Sequence, residues 1–61
     1  MITNEEAIAY FKEHNEALVI GAKDENVYNY EKKEIEAVCM REVFEANEMA
    51  IKALESQLYK L

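Results

Sequence analysis

The second half of the chain restricts the fold more than any other feature, because residues 31–61 contain neither glycine nor proline. Most of these residues are strong helix formers. At 1.5 Å per residue, a continuous helix through them would be about 45 Å long. The sequence therefore predicts a long helix 2 over about residues 31–60.

A second helix is predicted from a start signal near the N-terminus. Thr3 followed by Glu6 makes a capping box. Ile8 and Phe11 then begin a series of apolar residues at helical spacing. We expect this helix 1 to cover about residues 4–20.

The segment between the helices starts at Gly21, the only glycine, which is predicted to end helix 1. The polar residues 21–30 fit a connecting loop. In an alternative, residues 18–20 and 27–30 pair as a short β-hairpin. We expect a single all-α domain, residues 1–61, in which a short helix 1 and a long helix 2 form a helical hairpin.

A domain this small needs reinforcement, because a chain of 61 residues that folds alone buries only about 60% of its unfolded surface. Cys39 is the only cysteine, which excludes an internal disulfide, and we expect its thiol to be reduced and buried. His14 is the only histidine, so no zinc-ligand spacing exists. Helix 1 would also cover only about 26 Å of helix 2. Association of several copies is the reinforcement that remains.

Helix 2 carries apolar side chains on two adjacent faces, although a surface helix needs only one. At about 100° per residue, a strip of small side chains lies beside a strip of bulky ones. The small strip is Cys39, Val43, Ala46, Ala50 and Ala53, and the bulky strip is Met40, Phe44, Ile51, Leu54 and Leu58. Because helix 1 can cover only one strip, we expect a homo-oligomer, either a dimer forming a four-helix bundle or a tetramer of such dimers. The predicted interface residues are Ala46, Asn47, Ala50, Ile51, Leu54 and Leu58.

Asn47 is the polar residue near the middle of this apolar arc. An asparagine in such a position can fix the register of an oligomer by pairing with its symmetry mate. The alternative is that its side chain bonds locally or is exposed beside the edge of the partner.

Charge and composition exclude several classes of function. Thirteen acidic against seven basic residues give a net charge of −6, which opposes direct DNA binding. The longest apolar run, residues 17–20, is too short to span a membrane, so we expect a cytoplasmic protein with no membrane partner. Carboxylates occur without a nucleophile and base, so we expect neither an enzyme nor a cofactor or metal.

One segment has the residues of a ligand site, in which aromatic rings stack on a base and cations meet phosphates next to a helix N-terminus. The predicted ligand-binding residues are Tyr28, Tyr30, Lys32, Lys33 and Arg41. In the alternative, the tyrosines cover the core, the lysines are solvated, and Arg41 pairs with Glu45 one helical turn later.

The stretches T-N-E-E-A-I (residues 3–8) and E-A-N-E-M-A-I-K-A-L-E (residues 45–55) resemble the ends of very short phage and prophage proteins of Firmicutes. Those proteins commonly start M-T-x-E-E-A-I and finish E-A-x-x-M-A-I-x-A-L-E. The resemblance implies an accessory phage protein in the host cytosol that counters host immunity. It would do so by sequestering a nucleotide signal or by binding a defence protein. The competing expectation is a structural or regulatory oligomerisation module without a small ligand.

Overall fold

The computed structural model describes residues 1–58 and shows a mostly helical hairpin. The elements in chain order are α1 (Asn4–Asp24), β1 (Tyr28–Asn29), β2 (Glu34–Ile35) and α2 (Val38–Leu58). The two strands pair antiparallel, with Tyr28 opposite Ile35. The helices are also antiparallel, since Lys12 of α1 lies close to Glu55 of α2, whereas Asn15, later in α1, bonds to Phe44, earlier in α2. The closed end of the helical hairpin is therefore capped by a small β-hairpin.

The start of α1 confirms the predicted capping box. The backbone N–H of Glu6 donates to Oγ1 of Thr3, and the backbone N–H of Thr3 donates to Oε1 of Glu6, both at 3.1 Å. These bonds satisfy two backbone donors that a helix start otherwise leaves unpaired. Local spacing alone fixes this end of the helix.

The predicted end of α1 at Gly21 is wrong, because the helix continues to Asp24. Asn26, with φ of 60°, takes the left-handed position at which glycine was expected. Its N–H donates to the carbonyl of Lys23 at 3.2 Å, and the N–H of Val27 donates to the carbonyl of Ala22 at 2.9 Å. This pair of bonds is a Schellman motif, which closes the helix one turn after the glycine.

The predicted start of helix 2 near residue 31 is also wrong, because α2 begins at Val38. The preceding residues form the β-hairpin, whose turn ends at Lys33 with a φ of 55°. Ile35 is only 3% exposed, and burying this side chain outweighs the helix propensity of its charged neighbours. The predicted last residues of helix 2, 59 and 60, lie outside the described residues.

The alternative β-hairpin was correct for one strand and wrong for its partner. Residues 27–30 contain β1, but this strand pairs with Glu34–Ile35, whereas residues 18–20 belong to α1. Within residues 1–58, the expected difference in helix length is wrong as well, because α1 and α2 each have 21 residues there. The prediction of an uncovered far end on helix 2 therefore fails for the described residues.

The core of the single chain is thin. The buried hydrophobic residues of the described part are Ile8, Ala22, Ile35 and Ile51, and no large side chain there falls below 2% exposure. Two buried positions between the helices are instead polar, Asn15 and Asn47, each 7% exposed. A chain with so little buried apolar surface has little stability of its own.

The two asparagines form a hydrogen-bonded network across the helices. Nδ2 of Asn47 donates to Oδ1 of Asn15 at 2.8 Å and lies 3.0 Å from Nδ1 of His14. Nδ2 of Asn15 donates to the carbonyl of Phe44 at 3.3 Å. Asn47 is thus bonded within its own chain to two residues of the other helix, which neither expectation for this residue included. The network instead sets the register of α1 against α2.

Candidate functional site

The predicted ligand-binding tyrosines lie on the β-hairpin. The rings of Tyr28 and Tyr30 pack edge to face, with centroids 5.1 Å apart. Nζ of Lys23 lies 5.0 Å from the centroid of Tyr28 and 5.5 Å from that of Tyr30. Such a cation over aromatic rings is attracted to their faces. Sequence reasoning missed Lys23. Its side chain reaches the tyrosines only because the Schellman motif at the end of α1 turns the chain so that the β-hairpin lies beside Lys23.

A cavity of about 180 Å³ lies between the β-hairpin and the two helices. Its lining includes three of the predicted ligand-binding residues, Tyr28, Lys33 and Arg41. Val19 of α1 and Phe44 of α2 form an apolar wall of the cavity on the side of the helices. We call it the hairpin cavity. The structure thus brings together residues that are up to 13 positions apart in sequence.

The other two predicted ligand-binding residues do not line this cavity. Tyr30 is 66% exposed. The backbone N–H of Lys32 donates to Oδ1 of Asn29 at 2.9 Å, within the turn of the β-hairpin. Both lysines lie in this turn, and α2 begins only at Val38. The expected helix N-terminus beside Lys32 and Lys33 is therefore wrong.

The electrostatics of the hairpin cavity are balanced. Lys33 and Arg41 share the lining with the carboxylates of Glu34 and Glu45. Nε of Arg41 lies 3.9 Å from Oε1 of Glu45, which is the helical pair expected in the alternative for Arg41. Two cations and two carboxylates give the lining no net formal charge. The lining therefore offers no excess of positive charge for a polyanion.

The predicted interface residues are distributed over three environments. Asn47 and Ile51 are buried between the helices, Ala50 and Leu54 are half-buried, and Ala46 and Leu58 are exposed. The bulky strip of α2 thus mainly faces α1, and the small strip mainly faces away from it. Cys39, which was expected to be buried, lies on the small strip and is exposed in the single chain.

The small strip continues onto α1. At about 100° per residue, eleven positions of the two helices point to the same side of the helical hairpin, and none carries a formal charge. They are Ala7, Tyr10, His14, Ala17 and Gly21 on α1, and Cys39, Val43, Ala46, Ala50, Ala53 and Gln57 on α2. Tyr10 is 62% and Val43 is 42% exposed. We call this surface the uncharged face.

The opposite side of the hairpin carries a groove between α1 and α2, with a volume of about 740 Å³. Its floor is apolar and its rim is charged. The floor consists of Val19, Ile20, Phe44 and Ile51, and the rim of Lys12, Glu16, Glu48, Lys52 and Glu55. Nζ of Lys12 lies 3.5 Å from Oε2 of Glu55. We call this surface the charged groove, and it adjoins the hairpin cavity because both are lined by Val19 and Phe44.

Other kinds of site are not found in the part of the chain that the structure describes. Residues 1–58 contain no group of three or more His, Cys, Asp or Glu side chains that could hold a metal ion. Neither α1 nor α2 combines the length and the apolar character that a membrane crossing needs. Comparisons with protein-family models, with curated proteins and with solved structures find no match to this chain.

Proposed function

We propose that the protein works by binding rather than by catalysis, and that it does so as a homo-oligomer joined through the uncharged face. One observation carries this proposal: a chain with net charge −6 has a surface across both helices on which no residue is charged. Copies that meet through this surface bring no like charges together. If two copies met through other sides of the helical hairpin, the carboxylates of one copy would lie close to those of the other and repel them.

The small side chains of the uncharged face also favour another helix as the partner. Alanine and glycine allow helix axes to approach toward the short end of the usual range of about 8–10 Å. The thin core means that the chain gains much of its stability from whatever covers this surface. A partner that is present whenever the chain is made is a second copy of the chain itself.

The biological role that we propose is that of a phage accessory protein that counters host immunity. The resemblance of residues 3–8 and 45–55 to short phage proteins supports this context. The protein would sequester a nucleotide immune signal or bind a host defence protein. The juxtaposition of Tyr28, Lys33 and Arg41 supports the first role. The second role is supported by the charged groove. The alternative remains a structural or regulatory oligomerisation module.

The size of the hairpin cavity bears on the nucleotide role. Small-molecule sites usually occupy about 300–1,000 Å³, whereas this cavity has about 180 Å³. A nucleotide would therefore need a second copy of the chain to enclose it. Calorimetry against linear and cyclic nucleotides tests this role. Sequestration is supported if a nucleotide gives a heat of binding that is kept in Lys32→Ala but lost in the double variant Lys33→Ala and Arg41→Ala. If no nucleotide gives a heat of binding, the result supports the protein-binding role.

Self-association is tested with Ala46→Glu. We expect this variant to be monomeric at micromolar concentrations at which the parent protein is a dimer or larger, because the glutamates of two copies would meet at a desolvated interface. Sedimentation velocity measures the change, and circular dichroism checks that the helices persist.

Ala9→Glu is the matched control, since Ala9 is also an exposed alanine but lies on the charged side of α1. It should assemble like the parent protein. A parent protein that is a compact helical monomer at micromolar concentration would overturn the proposed assembly, as would an Ala46→Glu variant that assembles unchanged.

A further inference from the structure

We propose that pH controls assembly through the uncharged face, and that His14 is the residue that responds: copies join while its imidazole is neutral and separate when it is protonated. This inference rests on the assembly proposed above and names its regulation. Its supports are a hydrogen-bonded network in which His14 is neutral, the position of His14 on the uncharged face, and the chemistry of the other side chains around it.

The hydrogen-bonded network decides where His14 carries its proton. The carbonyl oxygen of Phe44 can only accept, so the atom of Asn15 that lies 3.3 Å from it is the donor Nδ2. Oδ1 of Asn15 therefore points to Asn47 and accepts from Nδ2 of that residue at 2.8 Å. The same Nδ2, which can only donate, lies 3.0 Å from Nδ1 of His14. Nδ1 thus accepts this bond, and the proton of the neutral ring is on Nε2.

Protonation of His14 would remove this bond. A protonated imidazole carries an N–H on both ring nitrogens, so Nδ1 could no longer accept from Asn47 and two donors would face each other. Imidazoles are the side chains that ordinarily change charge between about pH 5 and 8. The bond between His14 and Asn47 is therefore present while the ring is neutral and is lost as the pH falls.

The position of His14 makes its charge matter for assembly. His14 lies on the uncharged face, with its ring centroid 6.3 Å from that of Tyr10, and it is exposed in the single chain. Water can solvate a charge there, and Glu13, the preceding residue, is an exposed carboxylate that would attract it. In the assembly this charge would be removed from water, and each copy would bring one to the interface. Assembly therefore favours neutral His14 and weakens as the pH falls.

The other side chains around His14 do not supply a competing charge. On α2, which contacts His14 through Asn47, the positions one helical turn before and after Asn47 are not ionisable. They are Val43, Phe44, Ala50 and Ile51. Glu48, next to Asn47 in the chain, lines the charged groove on the opposite side. The other ionisable side chains of the uncharged face, Tyr10 and Cys39, are a phenol and a thiol, which gain no charge on acidification.

The charge of the whole chain would have the opposite effect on assembly. The net charge is −6 at pH 7, and acidification brings it closer to zero. A smaller net charge reduces the repulsion between copies and by itself favours association. Dissociation on acidification would therefore distinguish the effect of His14 from the general effect of charge.

The first test is sedimentation velocity of the full chain at about pH 7.5 and about pH 5.5, which lie within the range in which imidazoles change charge. We expect the dissociation constant of the parent protein to rise about tenfold or more at the lower pH. The control variant is His14→Gln, whose side chain stays neutral on acidification. It should assemble at least as tightly at the lower pH as at the higher one.

A second measurement needs no variant, because His14 is the only histidine of the chain. The ¹⁵N signals of its ring report the protonated fraction at about pH 6.5. Because assembly favours the neutral ring, this fraction should decrease when the protein concentration is raised. This measurement decides the question even if His14→Gln does not fold.

The contrary results separate two kinds of failure. Assembly of the parent protein that is unchanged or tighter at the lower pH would overturn the regulation, and so would an equal loss of assembly in His14→Gln. A protonated fraction that is independent of concentration in an assembling protein would overturn it as well. A parent protein that is monomeric already at the higher pH would instead overturn the proposed assembly, and its regulation with it.

Discussion

Ile51→Asp is expected to unfold most of the protein at room temperature. Ile51 is 6% exposed and lies between the two helices. A carboxylate in this position would be buried without a partner, which costs several kcal/mol. A chain of this length has only about 3 to 9 kcal/mol of stability to lose. The helical signal in circular dichroism and the cooperative thermal transition should both be largely absent.

Met49→Asp supplies the control for this loss of structure, because it introduces the same charge two residues earlier at an exposed position. Its thermal transition should stay close to that of the parent protein, since surface substitutions usually change stability by less than about 0.5 kcal/mol. A cooperative transition in Ile51→Asp near the parent midpoint would show that the helices are not packed through this residue.

Asn47→Leu is expected to lower the free energy of unfolding by about 1–3 kcal/mol, although it places an apolar residue in an apolar setting. The substitution removes the hydrogen bond that Oδ1 of Asn15 accepts from Nδ2 of Asn47, and Asn15 is buried. Polar atoms buried without a partner cost more than the hydrogen bond itself contributes. For a domain of this size, each kcal/mol lowers the thermal midpoint by about 4–8 °C.

A second substitution distinguishes the cost of the unpaired Asn15 side chain from the cost of a loss of packing. The double variant Asn15→Leu and Asn47→Leu leaves no unpaired amide between the helices, and we expect it to be more stable than Asn47→Leu alone. The carbonyl of Phe44 loses the Asn15 donor but retains the bond that a helix interior provides. Urea denaturation at one fixed protein concentration measures four proteins, which are the parent, Asn15→Leu, Asn47→Leu and the double variant. Simple additivity of the two single effects would contradict the network.

The parts of the fold that sequence reasoning predicted correctly are those that depend on local spacing. Thr3 and Glu6 define the start of α1 with two short-range bonds. The bulky strip of α2 was expected on one face, and Ile51 within it is buried. A capping box and a 3.6-residue period need no knowledge of distant residues.

The errors arose where distant contacts override local preference. The residues before Val38 have good helix formers among them, yet Ile35 is buried in a β-hairpin that covers the helix ends. Gly21 was expected to end α1, yet the helix continues to Asp24 and Asn26 takes the left-handed conformation after it. A methyl group on Gly21 would approach nothing closer than the terminal carbon of Met40, at 3.7 Å, so neither the turn nor close packing requires a glycine there.

The sequence could have indicated some of the residues that the structure brings together, but not others. Asn15 was missed, although it falls seven residues from Ile8 and from Ala22, on the buried side of α1. This spacing predicts burial, and a buried amide requires a partner. Lys23 gave no such signal, because its place over the tyrosine rings depends on the path of the chain after α1.

α1 and α2 follow each other closely in the chain, and this arrangement has a kinetic consequence. Each chain pairs its two helices through contacts between neighbouring segments, and domains rich in such contacts fold in microseconds to milliseconds. In the proposed assembly, the encounter of two copies depends instead on concentration and would be the slower step soon after synthesis. Newly made protein would then exist first as single helical hairpins that are exposed to proteases. If the copies assemble as proposed, the amount that survives should rise more steeply than in proportion to the rate of synthesis, which would give the protein a threshold dose.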